Sequence, residues 1–134
     1  MEVETKFHND ATTTELPAVS VGEAIRLFFT RYVDFKSRSR RSEFWTATIF
    51  TAVVSTLLGL IFKKAPIVVN IWSLAICIPT VAVTIRRLHD TGKSGWNYLW
   101  NLLPAIGQII LLVFLVKDSE PSENQWGKSP KYPG

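Results

Sequence analysis

The chain holds one cysteine and two histidines in 134 residues, and that scarcity closes off several chemistries. Cys77 alone cannot build an intrachain disulfide or a thiolate metal site, and it reads as a small packing residue. His8 and His89 lie far apart, with no carboxylate cluster to complete a metal set around either. Glycine-rich phosphate loops are missing, as is any Ser/His/Asp or Cys/His set at a usable spacing. No catalytic residue, cofactor or metal is therefore assigned, and the chain reads as a non-enzyme. Met1 to Pro17 is polar and acidic with no apolar core, so a cleavable signal peptide is not expected.

Charge is also missing where it would matter most. Phe44 to Phe62, Pro66 to Ile85 and Trp96 to Val116 contain no Asp, Glu, Lys, Arg or His. Each is about the 20 residues that a bilayer-spanning helix needs, and a single mid-span charge would cost about 2.5 to 3.5 kcal/mol. The fold class predicted is an all-α membrane protein: three transmembrane helices, 44–62, 66–85 and 96–116, preceded by an amphipathic interfacial helix. Residues 1–19 are expected to be a flexible tail, 20–117 the membrane domain and 118–134 a polar C-terminal tail. The interfacial helix is placed at 20–36. Ser20 and Glu23 form an S-x-x-E capping box, and Val21, Ile25, Phe28, Tyr32 and Phe35 recur at helical spacing. The alternative for this helix is packing on the bundle or on a second subunit.

What the chain does have is positive charge in short blocks, with a formal net charge of +4. Arg38, Arg40 and Arg41, with Glu43 among them and Trp45 as an interfacial anchor, precede the first span. Arg86 and Arg87 follow the second. Two spans separate these blocks, so both fall on one side, which the positive-inside rule makes cytoplasmic. The N-terminus and the 86–95 loop are then cytoplasmic, and three crossings put the C-terminal tail on the far side unless the Pro104–Gly107 break turns the third span back. Membrane topology accounts for the basic balance, so nucleic acid is not an expected partner.

Each span carries a stripe of small or weakly polar residues: Thr48, Ala52, Ser55 and Gly59; Ser73, Cys77, Thr80 and Thr84; Asn97, Asn101, Ala105 and Gln108. These faces are expected to meet in the bundle. Pro79 and Pro104 free carbonyls at Ala75 and Trp100. With Asn101 and Gln108 these would line a small polar cavity open to the cytoplasm, unless neighbouring groups satisfy them.

The loop "RRLHDTGKSGW", 86–96, has a structural role available for each residue. Arg86 and Asp90 are spaced to pair. Gly92 suits the left-handed position past a helix end, Ser94 an N-cap, and Trp96 the interface. His89 and Asp90 point about 100° apart on a helix, which argues against a metal pair. Gly95 completes the turn. As binding residues, Arg38, Arg40, Arg41, Arg86 and Arg87 with Asn97 and Asn101 suit an anion, a lipid headgroup or an acidic partner segment. In particular, Arg41 and Arg87 are expected to face the bundle mouth.

"SRSRRSEFW" at 37–45, "RRLHDTGKSGW" at 86–96, "LLPAIGQIILLVFLV" at 102–116 and "SEPSENQWG" at 119–127 together resemble the DUF805 family of bacterial inner-membrane proteins, the YhaH/YhaI-like proteins. The resemblance runs from about Val21 to Pro130, with Ser37 and Trp126 departing from the family pattern. It implies a multi-pass inner-membrane protein with no established activity, and it supplies no catalytic residue. The reading is a binding, accessory or structural membrane component with a basic cytoplasmic face, its partners the bilayer, anionic headgroups, another membrane protein or a second copy. The alternative is a small oligomeric transporter or channel subunit.

Overall fold

The computed structural model describes residues 15–132, and among them every regular element is a helix. These are α1 (Val21–Thr30), α2 (Arg41–Ile61), α3 (Pro66–Asp90), a 3-10 helix (Gly95–Leu102) and α4 (Ile106–Val116). His8 and most of the expected flexible tail lie outside the described residues. Residues 15–19 are anchored: Leu16 N–H donates to the Lys131 carbonyl at 2.6 Å and Val19 N–H to Ser42 Oγ at 3.1 Å.

Helices α2 and α3 form an antiparallel hairpin closed by the short Phe62–Ala65 link, with Pro66 in the first turn of α3. Their 21 and 25 residues give lengths of about 31 and 37 Å, enough to cross a hydrocarbon core of about 30 Å. Both are long and apolar enough to span a membrane. Their outward faces suit lipid: Leu57, Leu60, Ile61, Ile67, Ile71 and Leu74 are all exposed.

The expected third span does not form as one helix. Residues 96–116 fold instead as a hairpin of two short helices. The 3-10 leg has 8 residues and α4 has 11, so each measures about 16 Å, half a bilayer core. Pro104 explains the break. It lacks an N–H for a bond to Trp100, and it forces the preceding Leu103 into extended backbone, φ −95° and ψ 108°. Ala105 then adopts φ 65° and ψ −68°, and Ile106 N–H bonds the Pro104 carbonyl at 2.7 Å, a γ-turn in a strained region for a non-glycine residue. Gly107 permits the legs to close, because a Cβ there would sit 1.9 Å from the Trp100 carbonyl oxygen.

Pro79 behaves differently. It lies inside an unbroken α3, and the carbonyl it frees at Ala75 accepts the Tyr32 hydroxyl. Tyr32 sits just past α1, which ends at Thr30 and not at residue 36 as expected. Ser20 Oγ caps α1 through Glu23 N–H at 3.1 Å, but the Glu23 carboxylate turns to Arg26 at 2.9 Å, so the reciprocal half of the capping box is replaced. Ala24 and Phe28 bury α1 on the α2–α3 hairpin. The core, Phe28, Phe44, Ala47, Val83, Leu88, Leu111 and Leu115, gathers at the end of the hairpin where α2 begins and α3 finishes.

The polar stripes meet only in part. Trp72 Nε1 donates to Ser55 Oγ at 2.8 Å, and Thr48, Thr51, Thr80 and Thr84 line a cavity of about 60 Å³ with Phe28, Ala47 and Val83. Cys77 is exposed, and so are Ser73, Asn101, Ala105 and Gln108. The expected cavity lined by the Ala75 carbonyl, Asn101 and Gln108 is therefore absent from the described residues: Tyr32 takes the carbonyl, and the hairpin turns both amides outward.

Candidate functional site

The 86–96 loop folds as its local chemistry requires. Gly92, at φ 83°, donates to the His89 carbonyl at 3.0 Å, and Lys93 N–H reaches back to Leu88 at 2.9 Å. These two bonds are the Schellman closure of α3. Ser94 Oγ accepts Trp96 N–H at 3.2 Å, capping the 3-10 helix. Trp96 is 78% exposed, while Gly95 lies within 3.7 Å of His89 Nε2 when given a Cβ.

Around this loop sits a buried network of arginines. Arg86 donates from Nε to Ser39 Oγ at 2.9 Å, from Nη1 to the Arg31 and Asp34 carbonyls at 3.0 Å and from Nη2 to Glu43 at 3.2 Å. Arg87 donates from Nε to the Leu115 carbonyl at 2.9 Å, from Nη1 to Asp90 at 2.8 Å and from Nη2 to the Lys117 carbonyl. Arg38 holds Asp90 at 3.0 Å and the carbonyls of Glu120 at 2.8 Å, Ser122 at 2.9 Å and Gly127 at 3.0 Å. Arg40 holds the Leu16 and Pro17 carbonyls, both at 3.0 Å.

The expected Arg86–Asp90 pair is not made. Arg86 turns to Glu43, which stands in the first turn of α2 where the helix dipole favours a carboxylate. Asp90 is shared by Arg38, Arg87 and the Ser119 hydroxyl. All of Arg38, Arg86, Arg87 and Asp90 are buried. Desolvating such charges costs several kcal/mol each, so the burial is tolerable only because nearly every donor reaches an acceptor.

Each arginine closes a different segment onto the same end of the hairpin. Arg86 ties down the turn after α1, Arg40 the N-terminal segment, Arg38 the tail, and Arg87 the end of α4. Arg41 joins Arg87 at the α4 C-terminus, donating to the Val116 carbonyl and to Asp118, both at 3.4 Å. These two cations thus sit at the negative end of α4 and satisfy its last carbonyls. Arg41 and Arg87 come together at this helix end, and Asn97 and Asn101 do not join them. Asn97 bonds the Ser94 carbonyl at 3.1 Å and Trp100 Nε1 at 3.2 Å, and Asn101 is exposed. Trp45, expected at the interface, packs edge-on to Phe44 at 4.8 Å and lies against the core.

The tail is part of this site. Ser119 donates to Asp90, Glu120 N–H to the Asp90 carbonyl at 2.8 Å, and Asn124 Nδ2 to the His89 carbonyl at 2.9 Å. Trp126 stacks on His89 at 4.1 Å, 3° from parallel, while His89 Nδ1 faces the Ser37 carbonyl at 3.1 Å, a contact that needs a hydrogen on Nδ1 because a carbonyl oxygen only accepts. Further along, Asp118 accepts Lys131 and Ser119 N–H at 2.8 Å and the Tyr132 hydroxyl. Partial burial raises the Asp118 pKa, but the bonds from Lys131, Tyr132 and Ser119 outweigh it and hold this carboxyl at about 2.

The motifs that meet here are those shared with other proteins. A family model described as "Protein of unknown function (DUF805)" matches residues 32–128. The chain belongs to the DUF805 family. That match runs from Tyr32, the partner of Ala75, to just past Gly127, so it encloses the arginines, the 86–96 loop and the tail segment they hold. Among DUF805 relatives, Inner membrane protein YhaI of Escherichia coli K12 is 36% identical over 105 residues, covering 75% of this chain and 89% of its own length. Inner membrane protein YhaH of the same strain is 36% identical over 108 residues, with the same coverage of 75% and 89%. Uncharacterized protein YiiR is 30% identical over 125 residues, covering 70% of this chain and 84% of YiiR. No solved structure matches the chain. The two long apolar helices fit the membrane location that the first two names carry.

Sequence reasoning missed Ser39, Ser119, Asn124 and Tyr32 as members of the site. Ser119 and Asn124 fall inside the "SEPSENQWG" segment, so the signal for them was a polar motif just after an apolar run. Nothing in the local sequence of Ser39 or Tyr32 marks their partners.

Proposed function

We propose that this DUF805 protein is an inner-membrane accessory component with a folded cytoplasmic cap, built from residues 15–20, 31–43, 86–95 and 115–132. In this reading α2 and α3 are the two spans. The 95–116 hairpin dips about half-way through the bilayer core, the depth of the cytoplasmic leaflet, and returns, and both described ends of the chain lie in the cytoplasm. The observation that carries it is the arginine network. It gathers the N-terminal segment, the loop and the tail at one end of the hairpin, with the basic side chains, while Lys63 and Lys64 stand at the other end. The positive-inside rule assigns the first end to the cytoplasm.

The same network argues for a structural use of Arg38, Arg86 and Arg87, whose donors are spent on internal acceptors, and of Arg40, whose Nη1 holds the Leu16 and Pro17 carbonyls. The cap they build, and not the guanidinium groups themselves, is then the surface offered to partners. Topology is tested by C-terminal reporter fusions. A cytoplasm-dependent reporter should be active and a periplasm-dependent one silent, and the reverse result would sink the two-span reading. The accessory role is tested by quantitative co-purification from native membranes in mild detergent. Specific proteins or lipids should co-enrich with wild type and be lost with Asp90→Asn, which loosens the cap. Identical recovery from both would refute a role for the cap.

A further inference from the structure

With the arginines spent internally, the free cations of the cap become informative. Lys93 and Lys117 approach one aromatic ring: their Nζ atoms lie 5.0 Å and 5.9 Å from the centroid of Phe114. Lys93 lies two residues before the 95–116 hairpin and Lys117 directly follows it, so closing the hairpin brings two distant lysines to the same place. Among the described residues neither ammonium has a carboxylate within salt-bridge distance, whereas Arg26, Arg31, Arg38, Arg41, Arg86, Arg87 and Lys131 all do. Two like charges are therefore held at one ring with no counter-charge supplied by the fold. On the flank of α4 next to Phe114, Val113, Ile109 and Ile106 are exposed; spaced three and four residues apart, they form an apolar strip that runs back from the pair.

We infer that Lys93 and Lys117 hold the phosphate of an anionic phospholipid, its acyl chains lying along Val113, Ile109 and Ile106. The chemistry is complementary on both counts. A phosphodiester supplies the missing negative charge between two ammonium groups, and the exposed strip of α4 needs an apolar cover that a free phosphate lacks. Phe114 keeps both lysines at the ring by cation–π attraction, so the site is organised before the lipid arrives. The inference rests on the reading that this end of the hairpin lies at the membrane surface, and it holds for either leaflet.

The test is lipid retention, with the full chain reconstituted in nanodiscs of mixed phosphatidylglycerol and phosphatidylethanolamine, released into the gas phase and weighed with its bound lipids. Each juxtamembrane lysine contributes about 1 kcal/mol of attraction to anionic lipid. Lys93→Gln/Lys117→Gln should therefore lower the preference for phosphatidylglycerol roughly thirtyfold, and each single substitution about fivefold. Lys36→Gln/Lys128→Gln, which removes the same charge elsewhere on the cap, should leave the preference intact. Equal losses in the two double variants would overturn the site in favour of a diffuse surface field. Displacement of the lipid by millimolar inorganic phosphate would overturn the lipid assignment. Circular dichroism and the unfolding midpoint identify a misfolded variant, and Phe114→Leu, which keeps both charges but removes the ring, should give an intermediate loss. Topology reporters read the membrane reading separately, so the two can fail independently.

Discussion

Replacing Asp90 by Asn removes one charge from the centre of the cap while keeping its shape. Asp90 is fully buried and accepts from Arg38 at 3.0 Å and Arg87 at 2.8 Å, as well as from Ser119. The substitution leaves two buried guanidinium groups facing a neutral amide, one of whose termini now presents N–H groups to them. Breaking a buried ion pair in this way costs about 3 to 5 kcal/mol. The lower end is expected, because Arg38 keeps its carbonyl partners in the tail and Arg87 keeps those at the end of α4. Arg41 supplies the contrast. Its pair with Asp118 is 3.4 Å long, with side chains 45% and 43% exposed, so Arg41→Gln should change stability by less than about 1 kcal/mol. The assay is reversible unfolding of purified protein by SDS in mixed micelles, read together with trypsin cleavage after Lys117 and Lys128. Asp90→Asn should lower the midpoint and expose both sites well before the spans unfold. If Asp90→Asn and Arg41→Gln proved equally mild, within about 1 kcal/mol of wild type, the network would not be what holds the tail.

Three further outcomes follow from single features. Tyr32→Phe should cost about 1 kcal/mol through the orphaned Ala75 carbonyl, and much less in a Pro79→Ala background, where the restored N–H takes over that carbonyl; a double-mutant cycle by SDS unfolding measures the difference. At the hairpin turn, Ala105→Gly should stabilise by up to about 1 kcal/mol by relieving positive-φ strain, whereas Gly107→Ala should destabilise by about 1 to 3 kcal/mol through the clash with Trp100; thermal unfolding in detergent reads both. Finally, the Asp118 carboxyl sits at about 2, below its ordinary 3.8. A depressed pKa gives stability that is complete above the unfolded value and lost as pH falls through the folded one. The stability gap between wild type and Asp118→Asn should thus stay constant from about pH 7 to 5 and shrink below about pH 4.

The two in-span prolines separate what is local from what is not. In the sequence Pro79 and Pro104 look alike, each lying within an apolar run at a similar distance from the 86–96 loop. Pro79 leaves a 25-residue helix intact because Tyr32, 43 positions away from Ala75, reaches the carbonyl it frees. At Pro104 the freed Trp100 carbonyl is taken locally, by Leu103 N–H at 3.1 Å, and the leg ends there. A periodicity argument sees the same residue type in the same setting, so it predicts a third span where a hairpin forms. Arg86 makes the same point at the site: its spacing to Asp90 permits an i, i+4 pair, yet Glu43, Ser39 and two backbone carbonyls outcompete that partner once α2 packs alongside.

Composition and pattern determined that the chain is helical, that two of its helices are long and apolar enough to cross a membrane, that Gly92 and Ser94 build the turn before the third apolar segment, and which family the chain resembles. Those features follow from local propensity, capping and the absence of charge over about 20 residues, all of which act within a few turns of helix. The tertiary structure alone decided which carboxylate each arginine meets, that residues 96–116 turn back, and that the tail closes over the same end as the basic loop. Ion pairs and freed carbonyls choose among partners tens of residues apart, and only the packed chain brings those partners within the 3 Å at which a hydrogen bond discriminates.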